Sequence, residues 1–273
     1  MIIGDLPLKS ISTYLRCNHY KRHFMTLVVA LACKDGVILA ADGQSAGVAY
    51  ELERTFGMAY PASKINHLGD KILWGGSGSA GIIQTLEEGF EELQKEADNI
   101  SLHDPNLQLR LKEIHSACVR PEIDSQKKYG ISSTELIGAQ LLFVANDVEY
   151  HNPIKIWCIG SLGHSIFLEE DGIGIIGDAT LFANMSLLNF RRNLIWYKPK
   201  SKSLSTEQGC LVAYRAVKDA IEASLDRVGP PIDIWTIKNN QKPTQVSGQA
   251  MKKLEEAYVM WKEAEIIKLQ ELL

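Results

Sequence analysis

The 273-residue chain has few cysteines, no long apolar run and no large excess of either charge, and each shortage excludes a class of protein. Its five cysteines, Cys17, Cys33, Cys118, Cys158 and Cys210, are odd in number and widely spaced, unlike the framework of a disulfide-stapled secreted domain. A reducing, cytoplasmic compartment is expected. The longest unbroken apolar run covers residues 27–33, far short of the roughly 18 residues a membrane span requires. The first 24 residues scatter Asp5, Lys9, Arg16, Lys21 and Arg22 where a secretory signal would have a continuous apolar centre. Lys and Arg number 29 against 33 Asp and Glu, a net charge of −4, so nothing draws the chain in bulk to nucleic acid or anionic lipid. Neither nucleic acid nor membrane is expected as a partner. With 45% apolar and 23% charged residues, what remains is a globular protein able to bury a core of its own.

Residues 26–42 read TLVVALACKDGVILAAD, two apolar runs around Lys34-Asp35-Gly36. This predicts a hairpin in which Asp-Gly supplies the positive backbone dihedral of a tight turn, with strands covered on both faces. A strand over 71–74 leads into a glycine-rich loop, Gly75 to Gly81, and then a helix over 82–97. Asp104 before Pro105 opens a second helix, with Leu107, Leu109, Leu111, Ile114 and Cys118 as its apolar stripe. Strands over 136–145, 154–160 and 165–168 follow as an antiparallel meander, then a helix over 181–193. Ser205 and Gln208 form a capping box for a fourth helix, 232–237 is a last strand, and the charged helical tail from about 249 is expected outside the core. Strands and helix pairs come in blocks, unlike the regular alternation of a doubly wound parallel sheet. Two stacked antiparallel sheets, each covered by a helix pair, satisfy the order.

Several motifs have a plainer reading than the chemistry they suggest. Gly76-x-Gly78-x-x-Gly81 matches the dinucleotide fingerprint, but the helix after it leads into another helix, so the acidic ribose partner has no strand to sit on. The same glycines let backbone N–H groups approach a ligand, which an oxyanion hole also needs. Ser77 and Ser79 lack the Gly-x-Ser-x-Gly frame of a nucleophile elbow. Cys17, His19 and His23 lack the second spaced pair of a zinc site, and His115 reads as a structural histidine on an apolar helix face. No metal and no cofactor is expected.

The stretches Thr26-Leu27-Val28-Val29-Ala30, Ala40-Ala41-Asp42-Gly43-Gln44 and Ser63-Lys64-Ile65 together resemble the proteasome β-type family. Residues 41–44 look most like the peptidase subunit of the bacterial two-component, ATP-dependent threonine protease. The resemblance covers about 26–238 and implies an α+β fold, a four-layer αββα sandwich of the N-terminal nucleophile hydrolase type. It divides the chain into a leader or mis-assigned start over 1–25, the peptidase domain over 26–240 and a helical extension over 241–273. Thr26 stands at the family's nucleophile, Asp42 and Lys64 at its supporting pair, and Gly78 at its oxyanion glycine. Lys64 comes about six residues late, so an insertion is expected within 52–59. The implied activity is threonine endopeptidase inside a ring of identical or related subunits, with room for an ATPase regulator. The implied peptide would pair as a strand near Ala46 and around Gly78, with Ser45 and Gly76 bordering the first specificity pocket.

The chemistry explains the residue types. A threonine hydroxyl is a weak nucleophile and needs a base, and in this family the chain's own α-amine serves, with an ordinary pKa of roughly 7.7–8. That amine exists only when Thr26 is the first residue. Translation from Met25 followed by methionine removal would expose it, as would self-cleavage of a longer leader; the glycine usual before the nucleophile is absent. Gly177-Asp178-Ala179 stands where the family usually has Gly-Ser-Gly, and only Asp226 approximates a second supporting pair. A non-catalytic ring subunit and an amidase of the same nucleophile class acting on a small amide are the alternatives.

Overall fold

Runs of consecutive apolar residues form the first hairpin, β1 (Leu27–Cys33) and β2 (Gly36–Asp42), both buried along their whole length. The computed structural model describes residues 26–51, 54–61, 63–96, 100–128, 130, 138–168, 172–195, 204–224 and 228–272. β1 and β2 pair antiparallel with Val28 opposite Ala41 and Cys33 opposite Gly36. Gly36 does not have a positive φ, contrary to the expectation for the Asp-Gly turn. A glycine is needed there because a Cβ would lie 2.5 Å from the Ile237 carbonyl oxygen.

An excursion follows, β3 (Gln44–Glu51) and β4 (Arg54–Pro61), a two-stranded sheet whose ends Gln44 and Pro61 pair. β5 (Ile65–Leu68) and β6 (Ile72–Gly78) then begin a second sheet. The glycine-rich segment predicted as a loop continues β6, paired through Gly78 with Ala139. α1 (Ala80–Glu96) and α2 (Pro105–Lys128) run consecutively, and β7 (Ala139–Asn146), β8 (Ile154–Ile159) and β9 (Ser165–Phe167) complete the meander in the order β5-β6-β7-β8-β9. In α2 the buried stripe is Leu107, Leu111, His115 and Val119, whereas Leu109 is exposed.

The chain returns to the first sheet through β10 (Ile173–Gly177), a strand that sequence reading did not single out. α3 (Thr180–Ile195), α4 (Thr206–Ala223), β11 (Ile232–Lys238), β12 (Thr244–Gln245) and α5 (Gln249–Leu272) follow. The first sheet has the order β10-β1-β2-β11-β12. The Ser205 hydroxyl accepts from Gln208 N while the Gln208 side chain accepts from Ser205 N, the capping box expected for α4.

Alternation along β1 assigns the layers. Leu27, Val29 and Leu31 pack with α3 and α4; Val28, Ala30 and Ala32 pack with Ile65, Leu73, Leu142 and Val144 of the facing sheet. The second sheet sends Trp74, Leu141, Phe143 and Trp157 the other way, against Leu86, Phe90 and Leu111 of α1 and α2. The architecture is thus the four-layer αββα sandwich, and β1 is apolar throughout because it has a layer on each side. The tail does not stay outside the core. Tyr258 of α5 is buried against Tyr214, and its hydroxyl lies 3.0 Å from Asp219 Oδ1 and 2.9 Å from Glu222 Oε2. Asp219 also accepts from Ser186 of α3 at 2.7 Å and pairs with Lys262 of α5 at 3.0 Å, joining three helices. No helix among the described residues is long and apolar enough to cross a membrane.

His115 ties α2 to β7. Its Nε2 lies 2.7 Å from the Ala139 carbonyl oxygen, which can only accept, so Nε2 carries the proton. Nδ1 is buried with no partner among the described residues, and protonating it would put an unsatisfied N–H and a charge into the core. Burial accordingly pushes His115 below its ordinary range, against the opposing bond to Ala139. The unfolded chain therefore binds the proton first, and stability is lost as pH falls below about 6.5. Urea midpoints between pH 8 and pH 5 are expected to decline in the wild type and to decline less steeply in His115→Gln.

Candidate functional site

The hairpin register brings the first two site residues together. With Val28 opposite Ala41, the next step places Leu27 beside Asp42, and Leu27 N donates to Asp42 Oδ1 at 2.7 Å. The spacing of Thr26 and Asp42 is therefore set by two strands of equal length and a short turn. Asp42 is 0% exposed and Thr26 only 8%. Gly229 N donates to Asp42 Oδ2 at 3.2 Å and Gln44 N to the same oxygen at 3.3 Å. Three backbone N–H groups from three chain segments thus converge on one buried carboxylate.

Lys64 supplies the fourth donor, with Nζ 2.7 Å from Asp42 Oδ1 and its side chain 6% exposed. The β3–β4 hairpin leaves this region at Gln44 and returns at Pro61, so its length does not change where Lys64 enters β5. Of the residues expected as an insertion, 54–59 belong to β4, and 52 and 53 lie outside the described residues. Burial pushes the Lys64 ammonium below its ordinary range, opposed by the charge and hydrogen bond of Asp42. Burial likewise pushes Asp42 up, opposed by Lys64 and by the Leu27 and Gly229 N–H groups.

The start of β1 meets the end of β10. Leu27 lies opposite Gly177, and Asp178 N donates to the Thr26 carbonyl at 3.0 Å. Gly177 has φ +107°, and a Cβ there would be 2.0 Å from the Thr26 oxygen, so only glycine fits. Its N–H donates to Gln140 Oε1 at 3.1 Å, and Gln140 stands opposite Ser77 in the second sheet. Gly75, where a Cβ would lie 2.8 Å from Val28, and by alternation Ser77 face β1 across the two sheets, whereas a Cβ on Gly76 would meet Ile83 of α1. Gly75 is the last β6 residue paired with β5; Gly76 to Gly78 pair only with β7 among the described residues. Ser45 and Ala46 lie in β3, opposite Tyr60 and Ala59. Asp226 lies outside the described residues.

The convergence of Gly229, Gln44, Gly177 and Gln140 on this region was not readable beforehand. Gly229 is 187 residues from Asp42, and no local motif marks a backbone donor. Among the described residues no group of His, Cys, Asp and Glu is arranged to hold a metal ion. Burial pushes the Cys33 and Cys210 thiols up to about 12 and Cys158 to about 11, which suppresses the thiolate that a cysteine nucleophile requires.

No protein-family model matches the chain, and no curated protein matches it in sequence. Solved structures do match. The Gly-1 mutant of Anbu from Hyphomicrobium sp. strain MC1 superposes with a TM-score of 0.63 at 13% identity, over 90% of this chain and 97% of that one. Anbu from Yersinia bercovieri, described as an ancestral beta-subunit, gives 0.64 at 13% identity over the same shares. The likeness is one of fold. The chain has the proteasome-like, N-terminal nucleophile hydrolase fold of the Anbu structures.

Removing one partner of a buried ion pair costs about 3–5 kcal/mol. That loss is expected for Asp42→Ala, which strands an ammonium and three N–H donors. Lys64→Met is expected to cost less, because the three N–H groups still hold the carboxylate. Urea denaturation at pH 7 compares them, and a larger loss in Lys64→Met would refute this account of the carboxylate.

Proposed function

We propose that this chain is a threonine endopeptidase that works inside a ring of like subunits, with Thr26 as an N-terminal nucleophile. The observation that carries the reading is the buried Asp42–Lys64 pair held against Leu27 N, one residue from Thr26. A buried ion pair is a poor source of stability, whereas a fixed positive charge beside a hydroxyl favours loss of its proton.

In this reading the Thr26 hydroxyl attacks the peptide carbonyl and passes its proton to the Thr26 α-amine, which hands it to the leaving amine. Asp42 holds Lys64 in place, and the Gly78 N–H meets the oxyanion, a donor whose loss costs on the order of 3 kcal/mol. Water then releases the acyl group and restores the hydroxyl. The peptide lies as an added strand between the backbone near Ala46 and that of Gly76 to Gly78, with Ser45 and Gly76 at the first pocket. Beyond Gly75, β6 pairs with β7 on one edge and with no strand on the other among the described residues, which supports this placement. Residues 1–25 must be absent from the active form, because an amide nitrogen cannot act as the base.

Ring assembly is supported by apolar side chains left in water, Leu181, Met185 and Leu188 on α3 and Met260 and Ile267 on α5, which a neighbouring subunit would cover. An ATPase regulator is the partner such a ring needs to admit folded substrates. Asp178, where the family usually has serine, favours a second reading, a ring subunit with no activity, because a carboxylate beside the α-amine holds it protonated.

Intact-mass analysis of the purified protein is expected to show a chain beginning at Thr26 that gains one adduct from a hydroxyl-directed peptide inhibitor. Thr26→Ala should gain none, and Lys64→Ala should react at least about a hundredfold more slowly. An active enzyme that retains residues preceding Thr26 would exclude the mechanism. Sedimentation at micromolar concentration should show an assembly of several subunits, and a strict monomer would exclude the ring.

A further inference from the structure

The strand that flanks Asp42 also reaches the segment that carries Lys64. In the first sheet Ile232 lies opposite Asp42, and Asp233 is the next residue along β11. Asp233 Oδ2 is 3.2 Å from Ser63 Oγ, the residue immediately before Lys64, although the two are 170 residues apart. Ser63 belongs to the entry into the second sheet, so this contact bridges the two sheets directly beside the Asp42–Lys64 pair. The carboxylate is itself held. Trp235 Nε1 donates to Asp233 Oδ2 at 3.2 Å and Gln245 Nε2 to Oδ1 at 2.9 Å. Trp235 also packs edge-on to His67 of β5, ring centroids 4.5 Å apart at 82°.

We infer that Asp233, through Ser63, is a positioning residue for Lys64. The inference rests on the peptidase reading for its kinetic consequence but not for its structural one. Asp42 is clamped by N–H groups from Leu27, Gln44 and Gly229, whereas Lys64 arrives on a long side chain from the far sheet. Its ammonium can keep one place beside Thr26 only if the backbone at 63–65 keeps its distance from β2 and β11. The Ser63 hydroxyl is also within 3.3 Å of the Ile65 carbonyl oxygen; with one proton for two acceptors it donates to one at a time, and the charged Asp233 oxygen is the stronger acceptor. A misplacement of about 1 Å costs on the order of a hundredfold in rate without altering the reacting groups.

Two readouts in the full chain test this. Asp233→Ala and Ser63→Ala should each raise amide exchange in β5 about tenfold, the loss of one hydrogen bond to a charged acceptor, with the helix layers unchanged. Asp233→Asn, which keeps an acceptor oxygen, should restore the protection. In labelling of Thr26 by the peptide inhibitor, both single variants should lower the rate constant of the chemical step about tenfold and leave reversible binding unchanged. The double variant should be no worse than either single, and Asp233→Asn should recover most of the rate. A wild-type protein that fails to label would overturn the peptidase reading alone, because exchange in β5 reports the brace regardless. Unchanged exchange in both single variants, or a labelling loss that Asp233→Asn does not restore, overturns the role of Asp233.

Discussion

A carboxylate with no contact to water, surrounded by three N–H donors and one ammonium, organises this protein. Burying a charge costs several kcal/mol unless every lone pair is satisfied. At Asp42 the donors are drawn from β1, from the first residue of β3, from the approach to β11 and from the residue before β5. Satisfying one side chain therefore requires both sheets to be in register with each other. The site and the sheet packing are one constraint.

The rest of the architecture supplies the walls. β1 is apolar on both faces because the helix layer and the second sheet press on it from opposite sides. This double cover excludes water from Asp42 and Lys64, and low local dielectric strengthens their attraction. In the helix layer Asp219 repeats the device at lower stakes, collecting Ser186, Tyr258 and Lys262 to fasten α5 onto α3 and α4. Against the upward push of burial, those hydrogen bonds hold the Asp219 carboxyl below its ordinary range. Tyr258 is buried as a result, and α5 counts as part of the helix layer.

Glycine illustrates how one residue type meets different demands. Gly36 was expected to serve a tight turn, but its position is fixed by the Ile237 carbonyl pressing on it from β11. Gly177 combines a positive φ with contact against the Thr26 carbonyl. The run Gly75 to Gly78 looked like a loop because glycine and serine carry little strand propensity. Pairing with β7 makes it strand all the same.

What the sequence by itself determined about this protein was local and periodic: the β1–β2 hairpin, the helix pairs in their blocks, the Ser205 and Gln208 capping box and, through hairpin register, the placing of Asp42 beside Leu27. Each depends on residues close in the chain, where spacing and propensity act directly. Even the lysine was legible only by likeness, since the β3–β4 excursion separates it from Asp42. Tertiary structure alone decided the partners of that carboxylate at Gly229 and the strand β10 that meets Thr26. It also decided the bridge from Asp233 to Ser63 and the burial of Tyr258. These contacts span 187, 170 and 39 residues in the cases of Gly229, Ser63 and Tyr258. A backbone N–H has no side chain to announce it, and a serine or aspartate 170 residues away has the same composition wherever it ends up. Only the pairing of β11 with β2 and the packing of the two sheets face to face give such groups a partner.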